Sequence, residues 1–429
     1  GDGFFVNTTS GSITVTLPAS PSAGDIVAFK DYGNTWDSNA VILCRNGSKI
    51  NGTCLNANLS TESQSVTLIY VDGTKGWQDI HDSTSNVTGT SFISATGGTI
   101  TTDGNFKIHT FNSSSNFVVS SLSNVPANNE VSYVVVGGGG GGGGAGTNSF
   151  VGYAGAAGGA GGFREQKSGI DTYTASPLNG AGPITVTAAT FPITVGAGGS
   201  VTSADDGSPG SVSTFSTITS AGGGKGTHGG DCQPNSAGPG GSGGGSGARG
   251  HFPDSPTARY PGGTGNTPPV SPPQGNNGGK GTYTGVTGGG GGGGATAVGA
   301  CAPYNAPGAP NKTGGGDGGA GAATLINPAA GEAGPGPSRY YAGGGGGANG
   351  YYSSSSGCLA GSGNGGIGGG GDGGSGKCET NTGVAVPSQG DAGTANTGGG
   401  GGGGQSQGPT ARAGNAGGSG VVIIRYKFQ

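Results

Sequence analysis

The run Val131-Ser132-Tyr133-Val134-Val135-Val136, followed without a break by eight glycines at 137–144, decides how this chain is read. With five of its six residues apolar, the run predicts a strand. The glycines that follow carry no side chains to bury. Such a run is either a flexible linker or one rod of a polyglycine II bundle. In the second form the chain rises about 3.1 Å per residue in a threefold helix without internal hydrogen bonds. Its N–H and C=O groups then point outward in three directions, and bare neighbouring rods satisfy them. Further runs lie at 240–247, 288–294, 314–321, 343–347, 361–376 and 398–404. Their similar lengths, about 25 Å for eight residues at that rise, and their alternation with richer segments predict the ordered form.

Working outward, strands are expected at 191–195 and 212–219, each leading into glycine, and at 421–428, whose apolar face needs a partner such as 133–136. Residues 1–82 read as a separate β-sandwich-like module. Its short β-branched runs at 13–17, 26–29, 41–43 and 66–71 are separated by Gly, Asn, Ser and Pro. Trp36 and Trp77 are expected in its core. Residues 83–130 read as a polar linker and a small β unit, with strands at 92–94, 106–111 and 117–119. Residues 131–429 form the glycine-rich polyglycine II domain. The fold class is therefore all-β, with essentially no α-helix.

Composition narrows the function. Glycine accounts for 109 of 429 residues and proline for 24, a level that by itself reads as low complexity. Disordered chains usually combine this with high net charge, whereas here the net charge is −4 and charged residues make up 9%. A helical protein is excluded by the cost of interior glycine, about 1 kcal/mol each against alanine. A collagen is excluded because the glycines come in runs rather than at every third place. With 17 Lys+Arg against 21 Asp+Glu, no nucleic-acid partner is expected. No apolar run approaches a membrane-spanning length, so no membrane insertion is expected. Neither is a signal peptide, and Gly1 in place of methionine points to sequence removed upstream.

The six cysteines lack C-x-x-C spacing and histidine is scarce, so disulfides are expected rather than a metal site. Cys44 and Cys54 close a short loop, Cys358 and Cys378 flank a glycine stretch, and Cys232 and Cys301 remain as a long-range pair. Bridges of this kind imply an oxidising medium. Asn-x-Ser/Thr sequons stand at Asn7, Asn46, Asn51, Asn58, Asn86, Asn112 and Asn311 and matter only where the source glycosylates them.

The sequence Tyr133-Val134-Val135-Val136 before 137–144, Pro192-Ile193-Thr194-Val195-Gly196-Ala197-Gly198-Gly199, Ser213-Thr214-Phe215-Ser216-Thr217-Ile218, and the end Gly420-Val421-Val422-Ile423-Ile424-Arg425-Tyr426-Lys427-Phe428 resembles the glycine-rich domain of bacteriophage tail-fibre and virion structural proteins. It is similar to those of T4-like phages of marine cyanobacteria. Residues 1–82, with Pro18-Ala19-Ser20-Pro21-Ser22-Ala23-Gly24-Asp25 and Tyr70-Val71-Asp72-Gly73-Thr74-Lys75-Gly76-Trp77, resemble a β module that precedes such domains. A related architecture is the distal adhesin of T-even phages, in which stacked polyglycine II helices present variable loops. The resemblance implies a virion-surface, extracellular protein that binds a host receptor, an outer-membrane protein or a glycan. It also implies other fibre proteins as partners; phage fibres are often trimers, whereas the T-even tip adhesin is a single chain, so a homo-oligomer such as a trimer and a monomer both stay open. The added β module and the cysteines depart from the T-even adhesin and leave a structural fibre or capsid-decorating role as the alternative.

Side chains gather between the glycine runs. Arg249, Phe252, Arg259, Tyr260, Tyr304, Arg339, Tyr340, Tyr341, Tyr351 and Tyr352 are the candidate receptor contacts, because Tyr and Arg combine large contact area with polar handles. Their bland alternative is to clamp loops to one another. No catalytic residues and no cofactor are expected. His81, His109, His228 and His251 are dispersed across the chain. The nearest phosphate-loop pattern, 371–378, has Cys378 where a Ser or Thr should hold magnesium. Asp317 and Asp372 follow glycines as in calcium repeats but lack the hydrophobic position and the repeat.

Overall fold

The computed structural model describes residues 1–82, 90–146, 151–201, 205–230, 236–248, 260–282, 288–303, 314–352, 361–375, 377–378, 385–386, 389–406 and 412–429; at 151–152, 351–352, 377–378 and 385–386 it describes the backbone only. These residues are all-β. Apart from a single 3-10 turn at Pro126–Asn129 there is no helix among them. The chain divides into two compact units, one of Gly1–Ile93 with Leu122–Pro126, the other of Ser94–Ser121 with Ala127–Gln429.

In the first unit a four-stranded sheet orders Asp2–Val6, Ile26–Asp31, Ser65–Asp72 and Gly76–Asp82, and a three-stranded sheet orders Ile13–Thr16, Val41–Cys44 and Ala57–Leu59. Inward residues of both sheets share one core, Phe29, Leu43, Leu59 and Leu68 among them, with Trp36 and Trp77 fully buried at its centre. The Trp36 indole N–H donates to the Val6 carbonyl at 3.2 Å. Buried Asp31 accepts the amides of Gly33, Thr35, Trp36 and Ser63, which fixes the turn that delivers Trp36. Ordering this loop with a carboxylate satisfies backbone donors that the sheets leave over. The expected Cys44–Cys54 bridge is not formed, since both thiols are free. The loop closes by hydrogen bonds instead: the Arg45 amide donates to Asn56 Oδ1 at 3.0 Å, and Ile50 and Thr53 exchange backbone bonds of 3.0 and 2.9 Å.

The small β unit expected within 83–130 has no sheet of its own. Its strands complete two sheets of the second unit. The first sheet runs Phe163–Gln166, Glu130–Val136, Val421–Lys427, Phe106–Phe111, Thr99–Asp103. The C-terminal strand pairs antiparallel with the strand before the first glycine run, Val136 opposite Val421 and Ser132 opposite Arg425. The second sheet runs Ile218–Ser220, Ser213–Phe215, Thr190–Thr194, Ser115–Ser121, Ser94–Thr96. The expected single strand at 212–219 is thus a hairpin, bent at Ser216, whose φ of 52° lies in the left-handed region. The sheets meet through aromatic rings: Phe117 lies 5.0 Å from His109 and 6.2 Å from Tyr426, and Tyr133 lies 5.8 Å from Phe215. The opposite face of the first sheet, with Val134, Val136, Phe163 and Ile423, packs against Tyr173, Ile326 and Tyr341. Burial on both faces is why the Val131–Val136 run shows no polar alternation.

His109 is a pH-sensitive part of this core. It is fully buried, with Nδ1 2.7 Å from the Gly97 carbonyl and Nε2 3.1 Å from the Tyr426 hydroxyl. A carbonyl only accepts, so Nδ1 carries the proton and neutral Nε2 accepts from Tyr426. Burial holds its pKa below the ordinary 6.5 despite the Gly97 bond. Above 6.5 both folded and unfolded histidine are neutral; below it the unfolded ring takes up a proton that the folded ring resists. Stability therefore falls as pH drops from about 6.5 towards the lower folded value. Thermal melts at about pH 7.5 and about pH 5.5 should show this loss, and a His109→Gln variant, less stable overall, should show less of it.

The glycine runs are ordered, and their hydrogen bonds have a period of three. Gly137, Gly140 and Gly143 donate to Gly162, Gly159 and Ala156; Gly138, Gly141 and Gly144 donate to Ser211, Ser208 and Asp205; Gly139, Gly142 and Ala145 donate to Gly418, Asn415 and Arg412. The same rod accepts from Gly199, from Gly223, Gly226 and Gly229, and from Gly401 and Gly404. One rod thus bonds to six neighbours, the lattice that threefold geometry requires. The runs 155–162, 288–295, 342–348 and 398–404 are surrounded in the same manner.

Candidate functional site

Hydrogen-bond direction sorts the rods into two sets. The runs 137–145, 222–229, 240–248, 342–348 and 398–405 lead away from the sheets, and 155–162, 205–211, 288–295, 314–321 and 412–420 lead back. The two ends of this slab differ. At one end the rods join the sheets or turn tightly: the Gly294 amide bonds to the Ala297 carbonyl at 2.9 Å, and Thr397 Oγ1 donates to Thr394 at 2.7 Å. At the other end the chain turns back between 146 and 153, 201 and 205, 230 and 236, 248 and 260, 282 and 288, 303 and 314, 352 and 361, 375 and 389, and 406 and 412. Most of the sequence-derived contact candidates fall in or beside these intervals, and we take this end as the candidate site.

Its floor is built by the rods themselves. The methyl groups of Ala154, Ala248 and Ala348 cluster where three rods end. Ala248 donates to Ala154 at 3.0 Å, Ala348 to Gly155 at 3.1 Å, and Gly289 to Ala348 at 2.9 Å. Above them the backbone of Val151–Gly152 pairs with that of Tyr351–Tyr352. The Tyr153 amide is held by Ser406 Oγ at 3.0 Å. The connecting segments thus leave from fixed positions.

An acid–base group stands at the rim. Asp206 binds Lys225 Nζ through Oδ2 and His228 Nδ1 through Oδ1, both at 2.8 Å, and accepts the His228 amide at 2.9 Å. Burial alone would raise its pKa, but the bonds from His228 and Lys225 outweigh that and hold it below the usual carboxylate range. The group ties 205–211 to 222–229 and has no nucleophile described beside it. Sequence reasoning missed it because Asp206, Lys225 and His228 sit in ordinary Gly/Ser surroundings without motif spacing.

The structure divides the sequence-derived contacts. Tyr260, half-buried, begins a returning rod at the loop end, and its carbonyl accepts from Ser246 Oγ at 2.8 Å. Tyr351 and Tyr352 belong to the same end by their backbone pairing. Arg249, Phe252, Arg259 and Tyr304 lie outside the described residues, in intervals that open and close at this end. Arg339, Tyr340 and Tyr341 belong to the other end, in the three-stranded sheet Ala322–Thr324, Arg339–Tyr341, Glu332–Ala333. Tyr341 is not a surface contact. It is fully buried, its hydroxyl donates to the Ala330 carbonyl at 2.6 Å, and burial pushes its pKa well above the tyrosine range. Arg339 and Tyr340 of the same strand stay half-buried, with Arg339 Nε donating to the Pro328 carbonyl at 2.6 Å.

Cys301 at the loop end is exposed and free, its sulfur accepting the Lys280 amide at 3.4 Å, so the expected Cys232–Cys301 bridge is not formed. Cys232 and Cys358 lie outside the described residues, and Cys378 is described by its backbone only. In the 371–378 stretch the amides of Gly371, Gly373 and Gly374 already donate to Gly400, Gly363 and Gly403, which leaves them unable to cradle a phosphate. Asp317 and Asp372 accept the amides of Asn364 and Gly365 at 2.7 and 2.6 Å and so stitch rods together. Among the described residues no cluster of three or more His, Cys, Asp or Glu is placed to hold a metal ion.

The second unit is thus a lattice of glycine rods framed by strands. The family model described as a glycine-rich domain matches residues 113–427, and the chain belongs to that family. No curated protein matches the chain. No helix among the described residues is long and apolar enough to cross a membrane.

Proposed function

We propose that the protein is a nonenzymatic tail-fibre or adhesin component of a phage virion, exposed on the particle surface, that binds a host cell-surface protein or glycan through the segments at the loop end of its slab. The observation that supports this is the build of the slab: its interior is used up in backbone bonding, and the segments at the loop end leave from fixed anchors. A scaffold whose stability resides in backbone bonds tolerates sequence change in its connections, which suits a surface that must follow a changing receptor.

The test is cell binding by the purified full chain, labelled and titrated onto cyanobacterial cells, beside a variant in which 249–259 and 304–313 are replaced by Gly-Ser segments of equal length. Saturable binding by the parent, lost in the variant at an unchanged melting temperature, is the expected result. Equal binding by both would reject these segments as the contact surface. A structural-fibre reading draws support from the edge strand Asp2–Val6 of the first unit, where Phe4 and Phe5 are 50% and 76% exposed. Long filaments of the purified protein in electron micrographs, without cell binding, would favour it.

A further inference from the structure

Arg164 lies in the strand Phe163–Gln166, opposite Val135, and is 7% exposed. Its guanidinium donates only to backbone carbonyls: Nη1 to Pro272 at 3.0 Å, and Nη2 to Ser271 at 3.3 Å and Ala181 at 3.4 Å. No ion pair among the described residues includes Arg164. The other deeply buried arginine of the first sheet, Arg425, has two aspartates, Asp103 and Asp171. A buried cation is ordinarily paired, and two of Arg164's bonds are long. Three bonds also leave part of its donor set unused. Burial pulls its pKa below the ordinary arginine value, the mark of a charge without a counter-charge.

Arg164 also lines a cleft of about 340 Å³ at the sheet end of the slab. Val212, Ile218, Pro268 and Val270 form its walls, and no aromatic ring lines it. Gln274, at its base, is already engaged: Nε2 donates to Pro268 and Oε1 accepts the Ala221 amide. The charged group of the lining is Arg164; beside it and Gln274 stand two threonines, and the rest is aliphatic.

The geometry points to a binding site for a small aliphatic carboxylate, its carboxylate on Arg164 and its alkyl chain along Val212, Ile218 and Val270. Guanidinium and carboxylate match in shape and charge, and such bonds are about twice as strong as neutral ones. The site lies at the opposite end of the slab from the variable segments, so it stands apart from receptor binding.

Sodium octanoate, below its micellar range, serves as the probe, with octanamide as its neutral counterpart. Both are titrated calorimetrically into the full chain. Saturable one-to-one binding of octanoate is expected, with octanamide weaker by about tenfold or more. Arg164→Gln should weaken octanoate by a similar factor and leave octanamide little changed. Val270→Trp, which fills the cleft while keeping Arg164, should remove binding of both; this variant and the amide comparison carry the test should Arg164→Gln fail to fold. Absence of saturable octanoate binding, equal binding of acid and amide, or undiminished binding in Val270→Trp would each overturn the site.

Discussion

A Gly292→Val substitution should abolish cooperative folding of the glycine-rich unit. Gly292 donates to Gly345 at 2.9 Å and accepts from Gly319 at 2.9 Å, in the middle of a rod enclosed by other rods. A Cβ at this position would run into the carbonyl oxygen of Gly158. Overpacking an ordinary core costs about 1–3 kcal/mol because side chains shift rotamer to make room. Here the obstacle is backbone that is itself hydrogen-bonded, so relief requires displacing 155–162, which bonds onward to 137–145 and 398–404. The expected loss is in the exceptional class, about 4–5 kcal/mol or more. Gly169→Ala is the control, since a Cβ there meets nothing within 4 Å, and it should stay within about 0.5 kcal/mol of the parent. Thermal unfolding followed calorimetrically separates the two. A Gly292→Val protein that melts with the parent would mean the runs behave as linkers.

Asp171→Ala should produce the second large effect. Asp171 is fully buried and holds Arg425 Nε through both oxygens at 3.1 Å, while its Oδ2 accepts from Ser132 Oγ at 2.8 Å. The Arg425 side chain is 3% exposed and lies 4.6 Å from the Phe106 ring. Its other aspartate, Asp103, at 2.8 Å, is half in water and compensates little. Removing Asp171 strands a desolvated guanidinium between two sheet strands, at a cost of about 3–5 kcal/mol. An Asp171→Leu/Arg425→Met double variant removes both charges and should recover most of that loss. Urea unfolding of Asp171→Leu, Arg425→Met and the double variant gives the coupling directly. Losses that simply add would show that the pair is not energetically coupled in the fold.

The strands around the glycine runs were legible because they carry strong local signals. The apolar run before 137–144 and the apolar C-terminal strand could be paired from sequence, and they pair antiparallel along their length. Trp36 and Trp77 were legible as core for the same reason. The disulfides were not, since a count of cysteines says nothing of whether two Cβ atoms face each other; Cys44, Cys54 and Cys301 remain free thiols. Tyr341 misled because tyrosine serves binding surfaces and cores alike, and only its place in a three-stranded sheet turns it inward. Arg164 and the Asp206 group gave no signal, because their chemistry depends on what is absent or present across the fold.

By itself, then, the sequence determined that this protein is all-β and that its glycine runs satisfy their own backbone. A bare chain next to buried strands leaves few other stable outcomes. It did not determine which rod bonds to which, because glycine has no side chain with which to choose a neighbour. That choice is made by the strands and tight turns at one end of the slab. They impose the alternating direction of the rods, and the alternation sends the variable segments to the other end. Asp171 and Arg425, 254 residues apart in the chain, meet for the same reason: tertiary structure brings together what no local pattern could encode.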